Sequence, residues 1–143
     1  MYDNELILQD AALKAASGYG TVGGVAQVRE IGEGWVKGRL VIRADFVAFD
    51  PFNPDKLYQL ILEGGLNAAF TGNTAELCRV ELGYATQCIG FNFNRFAGHY
   101  IAYFSNRLGD RNSVVYPHVR MHHILTSAGG VSINYRAVIS PLP

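Results

Sequence analysis

The sequence is poor in charged residues, which make up 17% of its 143 residues, while hydrophobic residues make up 49%. Twelve basic residues balance twelve acidic ones, and this balance argues against the cationic surface that nucleic-acid binding requires. No run of lysine and arginine is long enough to bind an anionic membrane surface. A chain with so few charges, eight phenylalanines and eight tyrosines is expected to bury part of its surface against partners.

Long apolar runs and cysteines are also scarce. The apolar runs are a few residues long, far below the roughly 20 residues of a membrane span. The N-terminal stretch MYDNELILQD carries acidic residues where a signal peptide carries basic ones. We therefore expect the protein to work in the compartment where it is made, without a membrane partner. Cys78 and Cys88 lack the spacing of a metal site, and we interpret them as small buried hydrophobes rather than a disulfide.

Glycine, in contrast, is abundant: sixteen residues separate short runs that are rich in β-branched and aromatic residues. This pattern predicts strands, which we place near 25–31, 35–47, 57–63, 76–84, 99–106, 114–126 and 131–139. Seven or more short strands between turns are typical of a β-sandwich, jelly roll or small barrel. The length suits one domain spanning residues 1–143.

The clearest strand is WVKGRLVIRADF, residues 35–46, in which polar and apolar residues alternate. The first face is largely polar and carries Trp35, Lys37, Arg39, Val41, Arg43 and Asp45. The second face is almost purely apolar and carries Val36, Gly38, Leu40, Ile42, Ala44 and Phe46. A period of two means that the apolar face packs on a core.

The stretch ELILQDAALKAA, residues 5–16, is the one segment with good helix propensity. An extended chain is the competing interpretation, because propensity is a weak guide on its own. We therefore predict an N-terminal arm over residues 1–24 that is extended or partly helical. The glycine-rich GYGTVGG at 18–24 is interpreted as a flexible turn rather than a phosphate-binding loop.

Three histidines fall within YPHVRMHHIL, residues 116–125, and raise the question of a metal or catalytic site. The segment alternates as a strand does, which places His118, Arg120 and His122 on one face and turns His123 toward the apolar face. Four residues of strand span roughly 13 Å, too far for His118 and His122 to share one ion. Arg120 between them would repel a metal. We predict a polar strand face that contacts a partner.

Pro117 indicates that this segment is an edge strand or contains a bulge, because proline cannot donate a ladder hydrogen bond. The chain has no HxH pair of the cupin kind, no GxSxG elbow and no phosphate-cradling or dinucleotide-binding glycine motif. We predict that the protein is not an enzyme and needs no cofactor or metal.

Two stretches carry a family resemblance. LYQLILEGGLNAAFTGNTAELCRVELG (57–83) reads as a strand, a turn similar to GS-x-x-x-AF, and a strand with an LELG-like end. Residues 97–140 contain a GRY-like strand, F-x-N, Y-x-x-V-R and S-x-G-x-S-I-x-Y-x-A-x-I, in that order. The opening LQDAALKAASGYGTVG is similar to L-x-D-A-x-A-x-T-x-S. Together these patterns resemble the capsid cement (decoration) proteins of tailed bacteriophages.

The resemblance implies a jelly-roll protein that binds the outer surface of a phage capsid across subunits of the major capsid protein. Such a protein is made and assembled in the cytoplasm of the host bacterium. Two features depart from the family pattern: His99 stands where a basic or polar residue is more usual, and the FDPFNPD loop at 49–55 is unfamiliar. Edge strands with few charges further predict a homo-oligomer, a dimer or a trimer.

We expect the capsid contacts to come mainly from the N-terminal arm and from the loop DPFNPD at 50–55, because a jelly roll uses its strand faces for its own core. Phe49 beside this loop and Phe52 and Pro54 within it are too apolar for an exposed turn without a partner. The predicted contact residues are Tyr2, Leu6, Phe49, Phe52, Pro54, His118 and Arg120. Two other classes remain open: a carbohydrate- or receptor-binding jelly roll of a phage fibre, and a small metal-dependent enzyme.

Overall fold

The computed structural model describes residues 6–32, 36–48, 56–83, 96–108, 114–126 and 130–141. These residues form short and long strands joined by turns, and every strand pairing is antiparallel. The strands are β1 (Ile7–Lys14), β2 (Gly18–Tyr19), β3 (Thr21–Val22), β4 (Val25–Ala26), β5 (Arg29–Glu30), β6 (Lys37–Val47), β7 (Leu57–Gly65), β8 (Thr74–Gly83), β9 (Gly98–Ser105), β10 (Arg107–Leu108), β11 (Val114–Val115), β12 (His118–Thr126) and β13 (Ile133–Pro141).

Two sheets form the sandwich. The four-stranded sheet has the order β1-β13-β6-β9, and the five-stranded sheet has the order β2-β12-β7-β8, with β5 also paired to β12. The partners are nested: β1 pairs β13, β2 pairs β12, β6 pairs β9, and β7 pairs β8. This is the order that results when one long antiparallel ribbon folds over itself, and it defines a jelly roll. The predicted all-β sandwich or jelly roll is confirmed.

The core lies between the two sheets and is built from the alternating apolar residues of the long strands. Leu40 and Ile42 of β6 face Leu60 and Leu62 of β7, and all four are fully buried. The burial pattern of β6 alternates as predicted from its sequence up to Ala44.

Phe46 departs from the predicted alternation, because it is half exposed while Val47 is buried. The ladder between β13 and β6 shifts register here: Tyr135 pairs with Ala44, and Asn134 pairs with Phe46. The extra residue, Asp45, forms a bulge that turns the following side chain to the opposite face. The prediction that Phe46 faces the core is therefore wrong.

Residues 7–14 form strand β1 of the four-stranded sheet, so the helical interpretation of residues 5–16 is wrong for this part and the extended one is correct. Leu8 is fully buried in the core, and Gln9 accepts a hydrogen bond from the backbone N–H of Thr21 at 2.9 Å. Pairing with β13 and burial of Leu8 outweigh the helix propensity of the alanines. This part of the predicted arm belongs to the sandwich.

The segment 18–31 runs along the edge of β12 that faces away from β7. Its first end pairs with His122 and His123, and its second end pairs with His118 and Val119. Between the two ends, β3 and β4 form a hairpin whose turn residues, Gly23 and Gly24, both have positive φ, as a two-residue hairpin of this hand requires. GYGTVGG is thus part of a strand and hairpin rather than a flexible turn.

β12 is not the edge strand that Pro117 predicted. It pairs with β7 along its whole length and with β2 and β5 on its other side. Pro117 lies just before the strand, and its carbonyl accepts a hydrogen bond from the N–H of Ile31 at 2.7 Å. The missing proline N–H therefore falls outside the ladder.

The F-x-N pattern corresponds to Phe104 and Asn106. Phe104 is part of the core, and Asn106 is fully buried just after β9. The side-chain oxygen of Asn106 accepts a hydrogen bond from the N–H of Val36 at 2.8 Å, and its carbonyl accepts one from the N–H of Tyr116. The asparagine thereby joins three segments of the chain at one end of the sandwich.

Candidate functional site

The predicted contact residues fall into two groups. Three of them, Leu6, His118 and Arg120, are described by the structure. The other four, Tyr2, Phe49, Phe52 and Pro54, lie outside the described residues. Contact with a partner stays a prediction for all seven.

Leu6 lies directly before β1 and lines an apolar cleft of about 190 Å³ at one end of the sandwich. Ile31, Val36, Phe104 and Ile139 form much of its wall. The cleft therefore offers an apolar surface next to a predicted contact residue.

Arg120 lies on the outer face of the five-stranded sheet and is held entirely by its own chain. Its guanidinium carbon lies 3.8 Å from the centre of the Tyr19 ring and 4.0 Å from that of Phe70. Its Nη2 donates a hydrogen bond to Oε1 of Glu63, directly across on β7, at 2.8 Å. Only 18% of the side chain is exposed. Arg120 therefore joins β2, β7 and the loop that follows β7.

Phe70, Asn67 and Gly65 allow that loop to close over the guanidinium of Arg120. Phe70 has a φ of 55°, a conformation that non-glycine residues adopt rarely. Asn67 holds the turn, since its side-chain oxygen accepts hydrogen bonds from the N–H groups of Ala69 and Thr71. A Cβ at Gly65 would lie 2.6 Å from the Phe70 ring, so only glycine leaves room for this packing.

His118 and His122 lie on the same face as Arg120, as predicted from the strand alternation. Nδ1 of His122 is 3.3 Å from Oε2 of Glu63, and its ring lies 4.8 Å from that of Tyr19. Across the part of the chain that the structure describes, no group of three or more histidine, cysteine, aspartate or glutamate side chains is placed to hold a metal ion.

The remaining cation of this face is also paired. Arg79 of β8 donates hydrogen bonds to Glu76 and to Glu81, the latter at 2.9 Å, and these bonds raise its pKa above the usual value. Both arginines that the structure describes on this outer face, Arg79 and Arg120, thus have a carboxylate partner. We call this surface the paired face; its charged residues are Glu63, Glu76, Arg79, Glu81 and Arg120.

Behind the paired face, His123 is buried on the core side of β12. Its Nδ1 lies 2.9 Å from the hydroxyl of Tyr135. Burial, with smaller contributions from the charges of Lys14 and His122, lowers its pKa to about 4. The ring is therefore neutral near pH 7, where Nδ1 and the Tyr135 hydroxyl share a hydrogen bond.

The outer face of the four-stranded sheet is different. Its side chains form three rows across β13, β6 and β9. The first row is Arg136, Arg43 and His99; the second is Val138, Val41 and Ile101; the third is Ser140, Arg39 and Tyr103. We call this surface the cationic face. An apolar row thus lies between two rows that carry arginine.

The cationic face is exposed mainly along β9, whereas Val138 is buried and Arg39 and Arg136 are half-buried, and its charge is only partly compensated. Ile101 is 53% exposed and Tyr103 is 67% exposed. Arg43 has one carboxylate partner, Asp45, at 3.0 Å, and both side chains are nearly half exposed. Among the residues that the structure describes, neither Arg39 nor Arg136 has a carboxylate within ion-pair distance. The first row lines a groove of about 170 Å³ together with Val41 and Val138.

Cys78 offers no reactive thiol. Burial, followed by the nearby charge of Glu76, raises its pKa to about 12, so the sulfur stays protonated and weakly nucleophilic. The thiol is free, while Cys88 lies outside the described residues.

The cationic face was missed by sequence reasoning. The alternation in 35–46 placed Arg39 and Arg43 on one polar face, but their neighbours on β9 and β13 come from more than 50 residues away along the chain. The alternation of Arg136 and Val138 in β13 was the second signal. Only the order of the strands in the sheet places the arginines of β6 and β13 on one surface.

A scan of the chain against protein-family models found no match, and a search of curated proteins found none either. Within the described ranges, no helix has the length and apolar character needed to cross a membrane.

Proposed function

We propose that the chain is a structural virion protein of a tailed phage: a cement protein that binds the outer capsid surface. It would bind across neighbouring copies of the major capsid protein and stabilise the mature shell. The proposal gives it no catalytic role and no cofactor. It rests on the family resemblance of residues 57–83 and 97–140 and on the jelly-roll topology that the resemblance implied.

The observation that carries the proposal is the open apolar surface of the cationic face. Ile101 and Tyr103 lie side by side on the edge strand β9, with more than half of each side chain exposed. In a chain in which 17% of the residues are charged, such side chains are suited to burial against another protein. An adhesive protein needs this kind of surface, whereas an enzyme needs a pocket with convergent reactive groups.

Stabilisation of a shell follows from mass action. A protein that binds the mature shell more tightly than its separated subunits shifts the equilibrium toward the mature shell. Many copies on one particle allow modest individual contacts to add up, and a dimer or trimer that reaches several capsid subunits gains further through effective concentration. A homo-oligomer of this chain is therefore part of the proposal.

The direct test uses particles of the phage that encodes the chain. Purified particles should contain the protein in many stoichiometric copies on their outer surface, accessible to an antibody without disruption of the shell. Particles made without it should lose their DNA at a lower temperature and regain heat resistance when purified protein is added. Its absence from particles would overturn the proposal.

The predicted contact residues are tested by point variants. Removal of residues 1–8 is unsuitable, because it takes Ile7 and Leu8 out of the core. Tyr2→Ala and Phe52→Ser should instead lower occupancy on particles without a loss of folding. Leu66→Ser is the control, since Leu66 is exposed in the loop after β7 and has no assigned contact. Full occupancy of both variants would remove these residues from the capsid interface.

The other two classes give different results in the same preparation. A fibre module would bind defined glycans on an array and would be present in few copies at the tail. A metal-dependent enzyme would retain a stoichiometric metal after purification and turn over a substrate. Glycan binding with loss of particle binding would replace the cement proposal.

A further inference from the structure

The cationic face carries an electrostatic arrangement that folding alone does not explain. Arg136 and Arg43 lie directly opposite each other on neighbouring strands, and His99 follows in the same row. Like charges at opposite positions in an antiparallel pair destabilise the sheet. Asp45 is the carboxylate that offsets this row, and it is bound to Arg43. Arg136 remains without a partner among the described residues.

On the paired face, in contrast, the same chain neutralises its described arginines with carboxylates. There, Arg120 bonds Glu63, and Arg79 bonds Glu76 and Glu81. Arg39 and Arg136 of the cationic face therefore differ from the arginines of the paired face, each of which has a carboxylate partner.

The three rows also have a spacing that a partner must match. Arg43 and Arg39 are four residues apart on β6, which is roughly 13 Å along a strand, and Val41 lies midway between them. The exposed Ile101 lies next to Val41 in the central row. A complementary surface needs an apolar side chain at its centre and carboxylates on both sides.

From this geometry we infer that the cationic face docks an acidic protein surface in which carboxylates flank an apolar residue. Each carboxylate would receive hydrogen bonds from Arg39 or from the row of Arg43 and Arg136, for which the planar guanidinium is well suited. The apolar residue would cover Val41 and Ile101. An extended segment with carboxylates at positions i and i+4 and an apolar residue at i+2 fits the spacing.

Two other occupants fit the observations less well. A second copy of the chain could not use the paired face, because Glu63, Glu76 and Glu81 there are already bound to arginines, and it would have to offer acidic residues from elsewhere. A nucleic acid would satisfy the arginines but would place its phosphates around an apolar row that offers them no hydrogen bond. An acidic protein segment satisfies both parts of the face.

The inference rests on the proposed function for the identity of the partner, which would be the major capsid protein. The charge pattern itself does not depend on that identity. The experiment therefore has one arm that uses particles and one arm that does not.

The first arm selects binders of the immobilised full-length protein from a display library of random peptides. We expect enrichment of peptides in which aspartate or glutamate flanks an apolar residue. Binding of these peptides should weaken by about tenfold or more in the double variant Arg39→Glu/Arg136→Glu, because each change replaces an attraction by a repulsion. Arg79→Gln, which removes a positive charge from the paired face, should leave binding unchanged.

The second arm measures occupancy of the same variants on particles that lack the protein. Wild type and Arg79→Gln should bind, and the double variant should not. Binding of the double variant at wild-type occupancy would overturn the inference and keep the proposed function. Failure of the wild type to bind particles would overturn the proposed function, and the peptide selection would then decide the inference alone.

Two outcomes of the first arm would overturn the inference directly: selected peptides without enriched carboxylates, and peptides that bind the double variant as well as wild type. A third measurement uses a short DNA duplex as the probe. Tighter binding to the duplex than to the acidic peptides, lost in the double variant, would assign the face to nucleic acid instead. Circular dichroism and thermal unfolding of each variant show that it is folded.

Discussion

The two outer faces of the sandwich use arginine in opposite ways. On the paired face, Arg120 is stacked between two aromatic rings and bonded to Glu63, so its positive charge is compensated by contacts within the molecule. On the cationic face, Arg39 lies beside the exposed Tyr103 and Arg136 lies beside Arg43, and neither Arg39 nor Arg136 has a carboxylate partner among the described residues. The first arrangement holds strands and a loop together. The second places Arg136 opposite Arg43, and we expect this repulsion to lower the stability of the free protein.

The difference teaches how a polar strand face should be interpreted. The sequence around His118 and Arg120 predicts a contact surface; in the structure Arg120 is bonded to Glu63 and 18% exposed, and contact with a partner stays a prediction. The polar face of 35–46 also carries arginines, and of these Arg39 has no carboxylate partner among the described residues. The number of arginines on a strand says little about function, whereas their partners on adjacent strands say much.

The largest expected effect is a loss of stability in acid. It arises from His123, on the core side of β12 behind the paired face. The pKa of His123 is about 4 in the folded protein and about 6.5 in the unfolded chain, so the unfolded chain binds more protons between these values. The free energy of unfolding should therefore fall as the pH is lowered from about 6.5 to 4, by up to about 3 kcal/mol. Denaturant titrations across this range measure the loss.

His123→Gln should remove this part of the pH dependence, because glutamine binds no proton and can still accept from Tyr135. Tyr135→Phe is the control: it removes the hydrogen bond at every pH but leaves the ring buried, so the slope should remain. An unchanged slope in His123→Gln would assign the acid sensitivity to carboxylates such as those of the paired face.

The comparison itself is tested by removing one carboxylate from each face. Glu63→Gln leaves the largely buried Arg120 without its counterion and should lower the free energy of unfolding by about 2 kcal/mol. Asp45→Asn acts on a pair whose side chains are nearly half exposed and should change it by less than about 0.5 kcal/mol. Equal effects in chemical denaturation would show that the two faces do not differ in the way proposed.

A smaller effect on stability is expected when the aromatic rings of Phe70 and Tyr103 are removed. Phe70→Leu removes one of the two aromatic faces that enclose Arg120 and should lower the free energy of unfolding by about 1 kcal/mol. Tyr103→Leu is matched to it on the cationic face, where the ring is mostly exposed, and should change stability by less than about 0.5 kcal/mol. Thermal unfolding measures both, and a larger loss in Tyr103→Leu would contradict the assignment of Tyr103 to an open surface.

The smallest effect has the opposite sign. Arg136→Gln relieves the repulsion with Arg43 and should raise the free energy of unfolding of the free protein by about 0.5 kcal/mol at low salt. The gain should vanish at about 0.5 M salt, where screening is strong. Arg79→Gln, in which an ion pair is lost instead, should show no gain. A loss of stability in Arg136→Gln would mean that Arg136 serves the fold.

Much of the fold followed from the sequence because strand alternation is a local signal. The polar and apolar residues of 35–46, the glycine-rich turns and the face shared by His118 and His122 could each be predicted within one segment. The errors arose where a distant segment decides the outcome. Helix propensity in 5–16 gave way to pairing with β13, and the interpretation of Pro117 as an edge signal failed because β2 and β5 cover β12.

The sequence by itself determined that the chain is an all-β sandwich, since a period of two can bury only one face of each strand. Tertiary structure alone decided which strands became neighbours, and hence which arginines met a carboxylate. Arg120 bonds Glu63 on the neighbouring strand, 57 residues away in the sequence. Arg136 instead lies opposite Arg43. Charge pairing depends on distances of a few ångströms between segments far apart in the chain, and only the folded sheet order fixes those distances.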